Sequence, residues 1–338
     1  MKKSSPAIIL GLSLLIAGIG IMLAAIIAVD FDFDNFVTDS YETVTHTVNS
    51  DFENIVIATQ IHNINLAPSE DGVCKVVGSA SDNIKIEVEC DGYYLNIKTV
   101  DDRKWYNFIG INIGSAELTL YLPESEYTSL TVASDTGHIV IPESFGFTGA
   151  SMATSTGAIS FRASIEQELA LASDTGSISV SKQKLSMITV ETSTGGITLE
   201  NIEAENHVSV KASTGRIELH EIKCNSLNAE TSTGSITLKN VIAENEVKIK
   251  ASTGRVTLTS SLSDSLSVET STGDVKLYAS DAESIDINTD TGDVEGSILT
   301  SKIFTTETDT GKVKVPQTTE SGTCKIRTNT GNITITIE

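Results

Sequence analysis

A Thr-Gly dipeptide recurs eleven times along the C-terminal two thirds of the chain at a spacing of 19 or 20 residues. Self-similarity at a fixed period of about 20 to 50 residues is typical of solenoids and related arrays, whose units cannot bury a core alone. The fold can therefore be predicted from the structure of one repeated unit and from the way in which successive units stack. The glycines of the dipeptide, predicted to be structural turn residues, are Gly137, Gly157, Gly176, Gly195, Gly215, Gly234, Gly254, Gly273, Gly292, Gly311 and Gly331.

Apolar residues flank each glycine at alternate positions. In the unit around Gly195 they are Ile188 and Val190 before the glycine and Ile197 and Leu199 after it. A period of two indicates half-buried strands rather than helices. Each unit is predicted to contain a strand, a Thr-Gly corner, a second strand and a looser return loop, with glycine needed for positive φ or for close approach of successive coils.

Charged residues decide between two ways of arranging these strands. A Thr-Gly could close an antiparallel hairpin. Parallel stacking at about 4.8 Å would instead place equivalent residues side by side, where alternating charges form cross-strand pairs. The position four residues before the glycine alternates in sign over five consecutive units: Glu191, Lys211, Glu230, Lys250 and Glu269. The pattern favours an all-β, parallel β-solenoid (single-stranded β-helix) of about twelve coils, right-handed because parallel crossovers almost always are.

An uncharged run of 23 residues, 7–29, precedes the repeats. It is long enough to cross a bilayer core of about 30 Å as one helix. Lys2 and Lys3 precede it and only acidic residues follow closely, so the positive-inside rule predicts a single-pass membrane protein with an extracellular C-terminal ectodomain. The alternative is a cleaved signal peptide, which the length of the run disfavours.

The domain organisation follows from these features. We expect a cytoplasmic N-terminus at 1–6, a transmembrane helix at 7–29, an acidic spacer at 30–50, degenerate N-terminal coils or a cap at 51–130, and regular Thr-Gly repeats at 131–338.

The degenerate region, 51–130, departs from the regular repeat. A first coil fits there if His62 takes the place of the corner glycine, since Ile55, Ile57, Ile64 and Leu66 then match the apolar columns. The alternation over 84–97 indicates a long strand or a hairpin across Asp91-Gly92. The segment WYNF, 105–108, is predicted to cover the apolar end of the stack, with an exposed aromatic binding loop as the alternative.

The segment ELTLYLPES, repeated units such as SVETSTGDVKL, the N-terminal apolar run and the acidic remainder together resemble a bacterial putative-adhesin family of unknown function. The resemblance covers roughly residues 50–338. It implies a right-handed β-helix on a membrane-anchored surface or envelope protein, in some members linked to envelope stress responses and to the sensing of antimicrobial peptides. It brings no catalytic residues.

No catalytic or cofactor-binding constellation is present in the sequence. Its five histidines are scattered, and it contains no His-Glu-x-x-His motif, no Gly-x-Ser-x-Gly motif and no phosphate loop. A binding module is therefore preferred to the alternative, a β-helix enzyme that acts on polysaccharides. A weak candidate calcium cluster is Asp274, Asp290, Asp293 and Asp309, for which solvated turn residues are the favoured interpretation.

The four cysteines have no metal-ligand spacing; Cys324 is predicted to be a core residue, whereas Cys74 and Cys90 could form a disulfide. The predicted ectodomain carries 45 acidic and 21 basic residues. This charge favours cationic ligands such as antimicrobial peptides and disfavours nucleic acid, although it also serves solubility. Other expected partners are the membrane, an envelope or host-surface ligand, and a second copy paired through the strand edges of 332–338.

Overall fold

A computed structural model of the protein describes residues 41–102, 116–319 and 322–338, and all of its regular elements are β-strands. The N-terminal strands are β1 (Glu42–Val48), β2 (Asn54–Thr59), β3 (His62–Pro68), β4 (Cys74–Ala80), β5 (Ile84–Cys90), β6 (Tyr94–Asp101) and β7 (Ala116–Leu122). The repeats supply β8 (Glu126–Thr136), β9 (Ile139–Ile141), β10 (Gly146–Thr156), β11 (Ile159–Phe161), β12 (Ser164–Thr175), β13 (Ile178–Leu185), β14 (Met187–Thr194), β15 (Ile197–Ala204), β16 (His207–Thr214), β17 (Ile217–Cys224) and β18 (Ser226–Thr233). They continue with β19 (Ile236–Ala243), β20 (Glu246–Thr253), β21 (Val256–Thr259), β22 (Leu262–Thr272), β23 (Val275–Tyr278), β24 (Asp281–Thr291), β25 (Val294–Ile298), β26 (Ile303–Thr310), β27 (Val313–Lys314), β28 (Thr323–Thr330) and β29 (Ile333–Ile337).

The repeats stack as parallel coils, as the sequence predicted. Strands before the glycine corner pair with one another and strands after it do the same, for example β14 with β16 and β15 with β17. The register matches the apolar columns, with Ile188 beside Val208 and Ile197 beside Ile217, and these side chains are buried. Parallel coils form at all eleven Thr-Gly corners, and β2 with β3 adds a further coil. Antiparallel pairing is confined to the N-terminal end of the described residues.

A second corner lies where the sequence indicated only a loose return loop. Six residues after the glycine the backbone turns with φ between +46° and +57° in six consecutive coils, and the chain then continues as strand. In β15 the turn is at Asn201, and Ile202 and Ala204 beyond it are buried. Each coil thus has a third apolar side. The residues in this left-handed column are Lys182, Asn201, Glu221, Asn240, Ser260 and Ala279.

The Thr-Gly corners bring successive coils into close backbone contact. Gly254 has a φ of +150°, and a Cβ there would lie 1.8 Å from the carbonyl oxygen of Gly234 in the preceding coil. No side chain can be accommodated at that distance. The corner is further tied by a buried hydroxyl three residues before the glycine: Thr192 Oγ1 donates to Gly176 O at 3.1 Å, and Thr231 Oγ1 donates to Gly215 O at 3.2 Å.

The N-terminal end of the stack is covered by antiparallel strands. The coil of β2 and β3 inserts between β6–β7 and β8–β9, with Ile64 beside Ile139, so His62 occupies the glycine column as predicted. Beyond it, β5 forms a hairpin with β6 across Asp91-Gly92, β4 pairs antiparallel with β7, and β1 pairs antiparallel with β4. We call β1, β4 and β5 the N-terminal cap.

The C-terminal coils are stacked out of sequence order. Strand β28 pairs with β24 on one side and β26 on the other, and β29 pairs with β25 and β27. The last coil of the chain is therefore inside the stack, and the coil before it, β26–β27, is the outer one. The prediction that 332–338 forms the open end is wrong. After β25 the chain leaves one coil position empty and forms the outer coil, β26–β27, and then β28 and β29 occupy the empty position.

Several predictions fall outside the described residues: the transmembrane helix at 7–29, most of the spacer at 30–50, and the WYNF segment. Within 41–102, 116–319 and 322–338 no helix could cross a bilayer. The handedness of the coils stays a prediction. The expected boundary between 130 and 131 is crossed by the single strand β8.

Candidate functional site

The four aspartates of the weak metal candidate do not form one group. Asp274 pairs with Arg255 at 3.5 Å and accepts a hydrogen bond from the Asp293 backbone amide at 3.2 Å. The inserted coil places Asn329 between Asp290 and Asp309, and Asn332 N donates to Asp293 Oδ1 at 2.6 Å. Asn329 thus separates the carboxylates of Asp290 and Asp309, which the expected sequential stacking would have left adjacent. The described residues contain no cluster of three or more His, Cys, Asp or Glu suited to a metal.

The cysteines are all free thiols. Cys74, Cys224 and Cys324 are buried, and burial raises the pKa of each to about 12. Cys324 lies in an apolar column beside Ile285, as expected for a core residue. Cys74 and Cys90 are not bridged.

The alternating charges that indicated parallel stacking are neighbours in the structure. Glu191 lies beside Lys211, Lys211 beside Glu230, Glu230 beside Lys250, and Lys250 beside Glu269. Lys250 and Glu269 approach most closely, at 3.1 Å, and both side chains are about half exposed. Such exposed pairs contribute little to stability, so this ladder fixes register rather than forming a binding site.

Acidic residues are concentrated around the N-terminal cap. Residues 41–126 contain 14 acidic and 5 basic residues, whereas the much longer segment 127–338 contains 27 acidic and 16 basic residues. The net charges, −9 and −11, are similar, although the first segment is only about two fifths as long. The strongest negative field is therefore expected at this end of the stack.

A cleft of about 660 Å³ opens in this acidic region. It lies where β1 ends, β4 begins and the loop from β7 enters β8, and it is lined by the segments 48–53, 72–74 and 123–127 together with Gly92. Four carboxylate side chains line it, and the described lining contains no Lys or Arg. All four residues are exposed: Asp51, Glu53, Glu124 and Glu126.

Aromatic rings form part of the cleft wall. The rings of Phe52 and Tyr127 stack with centroids 5.8 Å apart, and Tyr127 Oη donates to Pro123 O at 3.0 Å. Burial raises the pKa of the Tyr127 hydroxyl above its usual range, and it raises that of the Cys74 thiol to about 12, so both stay neutral. The cleft combines carboxylates with the partly exposed ring of Phe52, behind which the Tyr127 ring is buried, and this is a suitable environment for an ammonium or guanidinium group.

Sequence reasoning missed this cleft. Its carboxylates come from DFEN and PESEY, two segments that are about 70 residues apart in the chain. Each is an acidic pair next to an aromatic residue just before a strand, which is the signal the sequence offered. Only the pairing of β2 with β8 brings the two segments together.

Comparison with known proteins identifies the family. No curated protein matches the chain. Similar solved structures include a putative adhesin of Parabacteroides distasonis (14% identity, 77% of this chain and 96% of that chain, TM-score 0.46) and one of Parabacteroides merdae (10%, 77% and 97%, TM-score 0.47). A putative cell adhesion protein of Clostridium sporogenes is also similar (12%, 88% and 100%, TM-score 0.22). The family described as Toastrack DUF4097 matches residues 52–258 and 206–338, and the chain belongs to this family.

Proposed function

We propose that the chain is a binding module of the bacterial cell envelope whose acidic N-terminal cleft captures cationic peptides. The observation that carries the proposal is the cleft itself, in which four carboxylates and a stacked aromatic pair meet without a basic side chain in the described lining. Family membership and the net charge of −22 support it. Under this proposal residues 7–29 anchor the chain in the cell membrane, the solenoid is extracellular, and peptide capture serves an envelope stress response.

The proposal assigns the chain no catalytic role. Carboxylates that are exposed and carry no basic partner in the cleft supply long-range attraction and a binding surface, which is what capture requires. The alternative is a β-helix enzyme that acts on polysaccharides. We find no group of catalytic side chains in the described residues that favours it. Nucleic acid is disfavoured as a partner by the same negative charge.

The experiment is a titration of the full-length chain in detergent with a cationic peptide and a neutral analogue of equal length. We expect the cationic peptide to bind and its affinity to fall steeply from low to physiological salt, where charges are screened within about 8 Å. Replacing Glu124 and Glu126 by Gln should weaken binding about tenfold, a loss of ~1.4 kcal/mol.

A matched control removes the same number of charges elsewhere. Glu244 and Glu246 are exposed and have the same spacing, but they lie in the repeats far from the cleft. Replacing both by Gln should leave the affinity nearly unchanged. Equal affinity for the two peptides, or an equal loss in both double variants, would contradict capture by the cleft.

A further inference from the structure

The outer edge of β26 has no strand beside it among the described residues. Strand β26 pairs with β28 on its inner side only, where Ile303 N donates to Gly322 O at 3.1 Å. Successive backbone amides of a strand point alternately to its two sides. The amides of Phe304, Thr306 and Thr308 therefore point away from the stack, as a row of donors and acceptors ready to pair with another strand.

Core-type side chains are left partly uncovered at the same end. Val313 in the outer coil is 44% exposed, whereas its neighbour Ile333 in the inserted coil is fully buried. Phe304 is half-buried, and its neighbour Cys324 is 1% exposed. The outer coil thus has the inward side chains of an interior layer but lacks the layer that would cover them.

The charges of this end suit a partner with the same surface. The chain carries −22 overall, yet residues 303–319 contain two acidic and two basic residues. Glu307 is already paired with Arg327, whose Nη2 lies 2.8 Å from Glu307 Oε2. Two such ends can approach without the repulsion that the rest of the surface would cause.

We infer that β26 pairs with β26 of a second copy, antiparallel and about a two-fold axis at Thr306. Residues directly opposite in such a pair lie on the same face of the sheet, so the axis passes through a residue. An axis at Thr306 places Phe304 opposite Thr308 and Thr305 opposite Glu307, so no carboxylate faces another. An axis at Glu307 would place the Glu307 carboxylates of the two copies opposite each other. An axis at Thr305 would reduce the number of residues of β26 that pair between the copies.

This pairing joins the two solenoids end to end. The N-terminal caps, with their acidic clefts, then lie at the two far ends of the dimer. For chains anchored through residues 7–29, which is part of the proposed function, the pairing would connect facing membranes rather than neighbours in one membrane. The edge itself is independent of the cleft, so failure of peptide capture would not affect the dimer.

Cysteine crosslinking of the full-length chain in detergent tests the register. With Cys90, the only native thiol of the described residues that is not buried, replaced by Ser, Thr306→Cys should form a disulfide-linked dimer on mild oxidation, because the residue on the axis faces its own copy. Thr308→Cys is the matched control. Its two copies would be offset by about four residues, roughly 13 Å along the strands, and should not crosslink.

A proline variant tests the edge without weakening the fold. Thr306→Pro removes an amide that makes no bond within the stack, which an edge strand tolerates, but it blocks pairing with a second copy. Dimer dissociation should become at least about tenfold easier, whereas Thr306→Ala should leave it unchanged. A chain that is monomeric at high concentration, a dimer indifferent to Thr306→Pro, or equal crosslinking at 306 and 308 would overturn the inference.

Discussion

The two ends of the solenoid differ in how the apolar core of the terminal coil is covered. At the N-terminal end the chain reverses direction, and the antiparallel strands β4 and β5 cover the stack, so Ile84 and Val76 are fully buried. At the C-terminal end the outer coil is an ordinary repeat, in which the core-column residues Val313 and Phe304 are 44% exposed and half-buried, respectively. A repeat array needs a distinct terminal unit to cover its core. Among the described residues only the N-terminal end carries such a unit, and the uncovered C-terminal end is the surface for which we propose pairing with a second copy.

The largest expected effect contrasts an apolar residue at each end. Ile84→Asp places a carboxylate in the covered core of the N-terminal cap and should destabilise the protein by about 4 kcal/mol. Val313→Asp at the open end should cost about 1 kcal/mol, since the side chain is already half exposed. Denaturant unfolding followed by circular dichroism measures both. Similar losses would show that the two ends are covered equally well.

A buried ion pair holds the C-terminal crossover in place. Lys302 Nζ lies 2.9 Å from Asp281 Oδ1, with side-chain exposures of 3% and 8%, in the segment that leads from β25 over the inserted coil to β26. Lys302→Met should cost about 3 kcal/mol, because it leaves Asp281 buried without its partner. The double variant with Asp281→Leu should recover most of that loss in the same unfolding assay. A single variant as stable as the wild type would exclude this role.

Glycines at the N-terminal end provide the next comparison. A Cβ at Gly137 would lie 2.1 Å from His62 O, at the junction between the first coil and the regular stack. Gly137→Ala should therefore cost about 2 to 3 kcal/mol. Gly92 in the cap hairpin also has positive φ, but no atom lies within 4 Å of its Cβ position, so Gly92→Ala should cost only about 1 kcal/mol. Thermal unfolding of the two variants tests this; an equal loss would show that strain in φ, not coil contact, selects the glycine.

The smallest expected effect comes from the exposed charge ladder. Lys250 and Glu269 pair at 3.1 Å but are 51% and 57% exposed. Lys250→Met should therefore change the free energy of unfolding by only about 0.5 kcal/mol, far less than the change at buried Lys302. The effect should shrink further at high salt. A loss as large as that of Lys302→Met would mean that the ladder, not the buried pair, carries the electrostatic stability.

Much of the fold could be predicted because each column of the repeat has a single physical requirement. The corner glycine and the β-branched residue two positions later specify coil contact and burial, and they gave the register of β14 with β16 correctly. The second corner was missed because Lys182, Asn201 and Ala279, which share its left-handed conformation, have no side-chain property in common.

The order of the last coils could not be predicted either. Val313 and Ile333 fit the same column equally well, so the local pattern does not say which coil is outermost. The crossover does contain a buried pair of Lys302 with Asp281, 21 positions earlier in the chain, but the repeat pattern does not reveal it. The acidic cleft was missed for a similar reason, since strand pairing over about 70 residues assembles it.

Hydrogen exchange of individual amides tests the out-of-order stack most directly, in the dilute protein where β26 has no partner. The account predicts slow exchange for Cys324, Ile326 and Thr328 in β28, whose amides face β26, and fast exchange for Phe304, Thr306 and Thr308 in β26, with a difference of about 100-fold or more. The reverse order, with β26 protected and β28 exchanging rapidly, would show that the coils stack in sequence order and would contradict the account.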